Sequence, residues 1–337
     1  MLALLVAVLA AAALGAGDRA QPDDSVDAAE ALIAAPSPDY KAIAAGETHS
    51  CALRSDSTVT CWGNNWAGQA DTPAGTFRAI AAGDRFSCAL GIDSTITCWG
   101  ARWYGQADAP AGTYQAVAAG DRHSCALNTS STITCWGDND YGQGDAPAGT
   151  YQAVAAGHDH SCALRTGGAV TCWGSNDYGQ ADAPAGNYQA ISAGRSHSCA
   201  LRADNTVTCW GYNESGRADA PAGAYQAISA GGGSSCALRA DSTVTCWGFN
   251  DYGQAVPPAG AYQAISAGRS HSCALRADST VTCWGFNDYG QADAPAGTYQ
   301  AIASGGHSCG LRTDRTVTCW GFNDYGQADA PGGTYRA

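Results

Sequence analysis

The feature that most constrains this chain is that it repeats itself. The dipeptide Trp-Gly recurs at Trp62, Trp99, Trp136, Trp173, Trp210, Trp247, Trp284 and Trp320, in steps of 37 residues with a final step of 36. Eight units follow, opening at Tyr40, Phe77, Tyr114, Tyr151, Tyr188, Tyr225, Tyr262 and Tyr299, and a ninth opening, Tyr335-Arg336-Ala337, ends the chain. A unit this short cannot bury its own hydrophobic faces. It is stable only when stacked on its neighbours, so the 337 residues are organised as a repeat array rather than as two ordinary domains.

In the first unit, Tyr40 to Ala45, His49 to Arg54 and Thr58 to Trp62 read as short strands, with Gly46, Asp56 and Gly63 marking turns. Forty-three glycines against one methionine and five phenylalanines fit many turns and short strands rather than long helices. Asn64 to Gly75 is rich in Gly, Asn, Asp and Pro and predicts a tight turn with at most one short outer strand. Four short antiparallel strands per unit make a propeller blade. The expected fold is therefore all-β, a closed β-propeller of eight blades over residues 40–337. An open solenoid would need end units with polar outer faces, which the first and last units lack. Closure removes that need, and the Tyr335 stub is placed to pair with a strand of the first blade.

Each unit carries one Cys-x9-Cys pair: Cys51 with Cys61, Cys88 with Cys98, Cys125 with Cys135, Cys162 with Cys172, Cys199 with Cys209, Cys236 with Cys246, Cys273 with Cys283, and Cys309 with Cys319. A three-residue loop centred on Asp56 sets Cys51 opposite Cys61 and Leu53 opposite Val59, whereas a two-residue turn sets Cys51 against Trp62. Opposed residues of a non-hydrogen-bonded pair lie about 4.5 Å apart and need little closing to bridge. Eight cross-strand disulfides are expected, and with them an oxidising compartment. The metal alternative is poor, because a His-Ser-Cys start plus a distant Cys supplies three ligands without the close Cys-x-x-Cys spacing of structural zinc. Neither metal nor cofactor is expected, and free thiols remain the other alternative.

Residues 1–17, MLALLVAVLAAAALGAG, form an apolar run that ends in small residues and is short for a span of about 20. It reads as a cleaved signal peptide, although a positive n-region is missing and a retained anchor is the alternative. Residues 18–39 read as a linker. The expected product is a secreted or cell-surface monomer with no membrane span after cleavage. Seventeen basic against 30 acidic residues give a net charge of -13, which repels phosphate backbones and argues against nucleic acid as a partner.

Two residues before the first Cys of each unit stand His49, Phe86, His123, His160, His197, Ser234, His271 and His307. Phe86 and Ser234 fill that slot without a compensating change. The imidazoles therefore read as strand-end groups bonding neighbouring backbone, not as a metal ring or a catalytic set. No acid or serine recurs beside them as in a triad, and the chain is not expected to be an enzyme. The tryptophans fall on the face opposite the Cys pair and read as packing between blades. The stretch Gly285 to Gln291 lacks the lysine of a phosphate loop, and Asp138-Asn139-Asp140 lacks the later bidentate acid of a calcium loop.

Function is sought where the units differ. The residue after Trp-Gly runs Asn64, Ala101, Asp138, Ser175, Tyr212, Phe249, Phe286 and Phe322, and Trp66 and Trp103 stand two places later in the first two units. The pairs ahead of the His slot run Glu47-Thr48, Asp84-Arg85, Asp121-Arg122, His158-Asp159, Arg195-Ser196, Gly232-Gly233 and Arg269-Ser270. Exposed aromatics and arginines anchor protein interfaces. The candidate contacts are Trp66, Trp103, Tyr212, Phe249, Phe286 and Phe322, with Arg85, Arg122, Arg195 and Arg269; drift among duplicated units is the alternative.

The unit Gly-x-x-His-Ser-Cys-Ala-Leu-Arg-x-Asp-x-Thr-Val-Thr-Cys-Trp-Gly-x-Asn-Asp-Tyr-Gly-Gln, seen as Gly268 to Gln291, resembles the repeat of the regulator of chromosome condensation family over about residues 40 to 334. The resemblance implies a propeller of four-stranded blades, usually seven, which makes seven the alternative to eight. The founding activity of that family is guanine-nucleotide exchange on a nuclear GTPase at chromatin. It is not carried over, because this chain has an apparent signal, paired cysteines, acidic charge, no basic tail and no inserted wedge. The short units look more like exported bacterial relatives, among them a propeller that inhibits β-lactamases with loop side chains. The expectation is an extracellular or cell-surface scaffold that binds a protein or cell-surface ligand through face loops. The alternatives are an exchange-factor-like regulator, a secreted enzyme inhibitor and a lectin.

Overall fold

The computed structural model describes residues 39–332. In the first repeat β1 spans Tyr40–Ala45, β2 His49–Arg54 and β3 Val59–Gly63. They form one antiparallel sheet in the order β1-β2-β3, and each of the eight repeats builds the same three-stranded sheet. The β2–β3 hairpin closes on a three-residue loop. The Arg54 N–H donates to the Thr58 carbonyl, Ser57 takes φ 73°, and the Asp56 carboxylate accepts from the Thr58 amide and hydroxyl. A type I turn followed by a left-handed residue is what a three-residue hairpin loop requires. The register sets Cys51 opposite Cys61 and Leu53 opposite Val59. All sixteen cysteines are paired in eight such disulfides, one per sheet.

The expected fourth strand is absent, and the blades are three-stranded. The segment after β3 gives its hydrogen bonds elsewhere: the Ala70 N–H goes to Asn65 Oδ1, Asn65 Nδ2 goes to Asp71 Oδ1, and the Ala67 N–H goes to Gln69 Oε1. The proline of this segment has no N–H, and where the next repeat opens with a tyrosine the proline carbonyl is claimed by its hydroxyl, as Tyr151 Oη donates to Pro147 O at 2.9 Å. With donors and acceptors committed, no ladder against β3 can form.

Neighbouring sheets pack face to face. Cys51, Leu53 and Val59 of the first repeat meet Phe77, Ala89 and Trp99 of the second, so one sheet's disulfide side lies against the next sheet's tryptophan side. Each layer is pinned by polar contacts. The Phe77 N–H donates to Ser57 O of the preceding hairpin, and the Trp99 indole N–H donates to Gln69 O. The seam between the eighth repeat and the first has the same composition. Tyr40, Ile43, Ala52 and Trp62 pack on Cys309, Leu311, Val317 and Cys319; the Tyr40 N–H donates to Arg315 O, and the Trp62 indole donates to Gln327 O at 2.9 Å.

Two glycine positions show how tight this stacking is. Gly63 has φ +97°, and a Cβ there would sit 2.9 Å from Gln327 Cα of the eighth repeat. A Cβ on Gly46 would sit 2.5 Å from the Gly83 carbonyl oxygen of the second. Glycine is required where backbones approach this closely. The segments read as a signal peptide and as a linker, up to residue 38, and the Tyr335 stub lie outside the described residues. Among the described residues no helix is long and apolar enough to cross a membrane.

Candidate interaction face

Because β1, β2 and β3 alternate in direction, the β1–β2 loop and the loop after β3 emerge at the same end of the sheet. The Asp56 hairpin turn lies at the other end. Both variable slots therefore fall on one face in every repeat, and residues from all eight repeats line one cavity there of about 1000 Å³. Six of the candidate residues line it: Trp66, Arg85, Arg122, Arg195, Arg269 and Phe322.

The other four stand around it. The Trp103 ring is 5.4 Å from Trp66, with Arg85 5.9 Å above it. Tyr212 packs on Tyr178 at 4.6 Å and carries Arg217 over its ring at 4.5 Å. Phe249 and Phe286 belong to an unbroken arc of rings that runs Phe249, Tyr252, Phe286, Tyr289, Phe322, Tyr325, with centroids 5.0 to 6.0 Å apart. The phenylalanines are half-buried, and the tyrosines stand out to solvent.

Reading the differences between repeats missed these tyrosines. Tyr104, Tyr141, Tyr178, Tyr252, Tyr289 and Tyr325 occupy a nearly constant position in the Asn-Asp-Tyr-Gly-Gln stretch, and constancy resembles framework. Exposure is what separates them from the buried tyrosines that open the repeats: Tyr289 is 55 % exposed and Tyr299 0 %. The loops that carry them are cross-tied by their own side chains. The Tyr289 N–H donates to Gln291 Oε1 and the Ala292 N–H to Asn287 Oδ1, and Asn287 Nδ2 holds Asp293 Oδ1.

Charge around the cavity is uneven. Glu47, Asp84 and Asp121 stand in the first three repeats and Arg195 and Arg269 in the fifth and seventh. Burial raises the Asp84 carboxyl above its usual range, and the neighbouring Asp121 charge adds to the effect. Burial raises Asp121 as well, against the pull of His158 3.1 Å away. The His158 imidazole is itself raised, first by its hydrogen bond with Asp159. Arg269 forms an ion pair with Glu47. The eighth repeat between them is one residue short in this loop.

The histidine slot is structural, and the ring's Nε2 bonds a serine side chain rather than the backbone. His49 Nε2 meets Ser87 Oγ of the next repeat at 2.7 Å, and the same bond joins His123 to Ser161, His160 to Ser198, His197 to Ser235, His271 to Ser308 and His307 to Ser50. Ser87 Oγ also lies 3.3 Å from Cys51 Sγ, which as a disulfide sulfur only accepts. Nδ1 of His49 has no partner. The arrangement that avoids a buried orphan N–H has Nε2–H donating to the serine and the serine hydroxyl donating to sulfur. Burial pushes His49, His123, His160 and His271 down to about 4 and His197 and His307 to about 3, so these rings are neutral. Among the described residues no group of His, Cys, Asp or Glu is placed to hold a metal.

The family model for the regulator of chromosome condensation (RCC1) repeat matches residues 40–69, 114–143, 151–180, 188–217, 225–254, 262–291 and 303–327. The second repeat, with Phe86 and Trp103, is the unmatched one. Among solved structures, the chain is similar to the ectodomain of the receptor kinase CR4 from Physcomitrella patens, with 28 % identity, TM-score 0.60 and 73 % of each chain covered. It is also similar to the ectodomain of the Arabidopsis thaliana receptor kinase ACR4, with 26 % identity and TM-score 0.59 over 74 % of this chain and 96 % of that one. Prp20p from Saccharomyces cerevisiae shares the fold at 19 % identity and TM-score 0.56, over 82 % of this chain and 84 % of that one. No curated protein matches the chain. With its matches covering more than half of the sequence and seven of its eight units, the chain belongs to the regulator of chromosome condensation repeat family.

Proposed function

We propose that this chain is an extracellular or cell-surface scaffold that binds a protein partner through the loop face of a closed eight-bladed ring, without catalysis. The concentration of exposed aromatic rings on one face carries the reading. Trp66 is 76 % exposed and Trp103 55 %, and such rings are costly to leave in water without a partner. Closure is supported by the seam, where the eighth repeat meets the first through the contacts that join consecutive repeats. Export is supported by the eight disulfides and by the two plant neighbours, both receptor-kinase ectodomains. Absence of catalysis is supported by six of the seven histidines, which are buried between sheets where no substrate reaches them.

The test is co-purification of partner with the tagged full chain from its native cells. Replacing Trp66, Trp103, Tyr178 and Tyr252 together with serine is expected to abolish partner recovery while leaving the melting temperature unchanged. Replacing Asp241 and Asp278 in the opposite turns is expected to leave recovery intact. Undiminished recovery by the loop-face variant, or equal loss from both, overturns the reading.

A further inference from the structure

Three rings on the loop face already carry a guanidinium supplied by the chain, Tyr212 from Arg217 of its own loop and two others from the β1–β2 loops. Arg122 stands 5.2 Å over Tyr104 and Arg85 stands 5.9 Å over Trp103. Arg122 belongs to the repeat after that of Tyr104, at the second position of its variable pair. The residue in the same place is Ser270 for Tyr252, Gly306 for Tyr289 in the shortened eighth loop, and Thr48 for Tyr325. None of the three can supply a cation. Among the described residues the arginines found over rings lie elsewhere, so no guanidinium of the chain covers these tyrosines, which stand out to solvent.

Beside Tyr289 lies a notch of about 220 Å³, lined by Phe286, Tyr289 and Phe322 together with Thr48, Ser270 and Gly306. Arg269 and Glu47 also border it, but their charges are paired with each other. The exposed carboxylate of Asp288 directly precedes Tyr289, and the chain as a whole carries -13. A cation is drawn to aromatic faces, and more strongly as it sheds water between them. Acidic surroundings steer it in.

We propose that this notch receives the guanidinium or ammonium group of an arginine or lysine side chain on a protein partner. The partner then fills from outside the position that Arg122 fills from within. The inference rests on the scaffold reading and deepens it by naming the chemistry of the anchor.

The probe is a fluorescent peptide of four alternating Gly-Arg units, titrated against the full oxidised chain at physiological salt, with a Gly-Glu peptide as control. Saturable binding of the arginine peptide alone is expected. Tyr289→Ala is expected to weaken it about fivefold and Tyr289→Phe to preserve it, since the π face is retained. Ser270→Arg, which puts a guanidinium on a residue bordering the notch and so competes with the peptide for it, is expected to weaken it at least as much with unchanged melting temperature. Absence of saturable binding overturns the proposal, as does preference for the glutamate peptide, which would mark Arg269 as an anion site. Equal affinity across the variants also overturns it, since attraction would then be to net charge alone. Failure of the peptide while native partner still co-purifies removes this notch and leaves the scaffold standing.

Discussion

The six histidines between sheets act as acid-sensitive rivets. Each is neutral and fully buried, bonded to a serine one repeat on. The ordinary imidazole value near 6.5 applies to the unfolded chain, and burial depresses the folded value to about 4 in His49, His123, His160 and His271. The unfolded state therefore binds more protons in this interval. The stability these groups contribute is complete above pH 6.5 and is lost as pH falls toward 4, at up to about 1.4 kcal/mol per histidine per pH unit. Thermal melts are expected to fall steeply from pH 6.5 to 4.5. Replacing His123 and His160 with phenylalanine, the residue already present as Phe86, is expected to flatten that fall, and an unchanged slope would contradict the assignment. A slot with six imidazoles in eight was legible in the sequence as structural, but its partner was not. The partner is the serine that follows the histidine slot in every repeat, and the contact is made only between repeats. A hydroxyl kept beside a buried cysteine in all eight units was the available signal.

At the scale of the strand and the hairpin, the cysteine spacing and a three-residue turn predict the pairing of Cys51 with Cys61, and the register has it. Local chemistry determines this element, which is why it was legible. The fourth strand was misread because hydrophobic pattern and repeat length do not reveal what the backbone of Asn65 to Gly75 bonds to. Asn65 Oδ1 and Gln69 Oε1 take its amides, and in the equivalent segment of the third repeat the Tyr151 hydroxyl takes the Pro147 carbonyl. Each disulfide closes a short loop, and removing one is expected to cost about 3 kcal/mol by loop-closure entropy. Replacing Cys162 and Cys172 together with alanine is expected to lower the unfolding free energy by that amount and with it the denaturation midpoint, with the remaining sheets intact by circular dichroism. A midpoint unchanged from the parent would show that sheet stacking alone holds the hairpin.

For the molecule as a whole, the repeat period gave eight units, the all-β class and the packing of tryptophans between sheets. Side-chain variation singled out ten residues, and the structure gathers them on one face, six of them at one cavity. What variation did not reveal is the tyrosine arc, since a residue repeated for binding and one repeated for packing look the same in a single chain. Only exposure tells Tyr252, Tyr289 and Tyr325 from Tyr225, Tyr262 and Tyr299. The face is where the structure departs most from eightfold regularity, with the cavity carboxylates in the first three repeats, arginines on both sides and an aromatic arc in the last three repeats. Site-specific photo-crosslinking tests the central claim most directly. A photoreactive residue is placed at Tyr178 or Tyr325 on the loop face, or at Asp241 or Asp314 in the opposite turns, and the full chain is irradiated in its native cells. The account predicts one protein adduct of the same mass from both loop-face positions and none from the turns. Adducts from the turns, or none from the loop face, would contradict it.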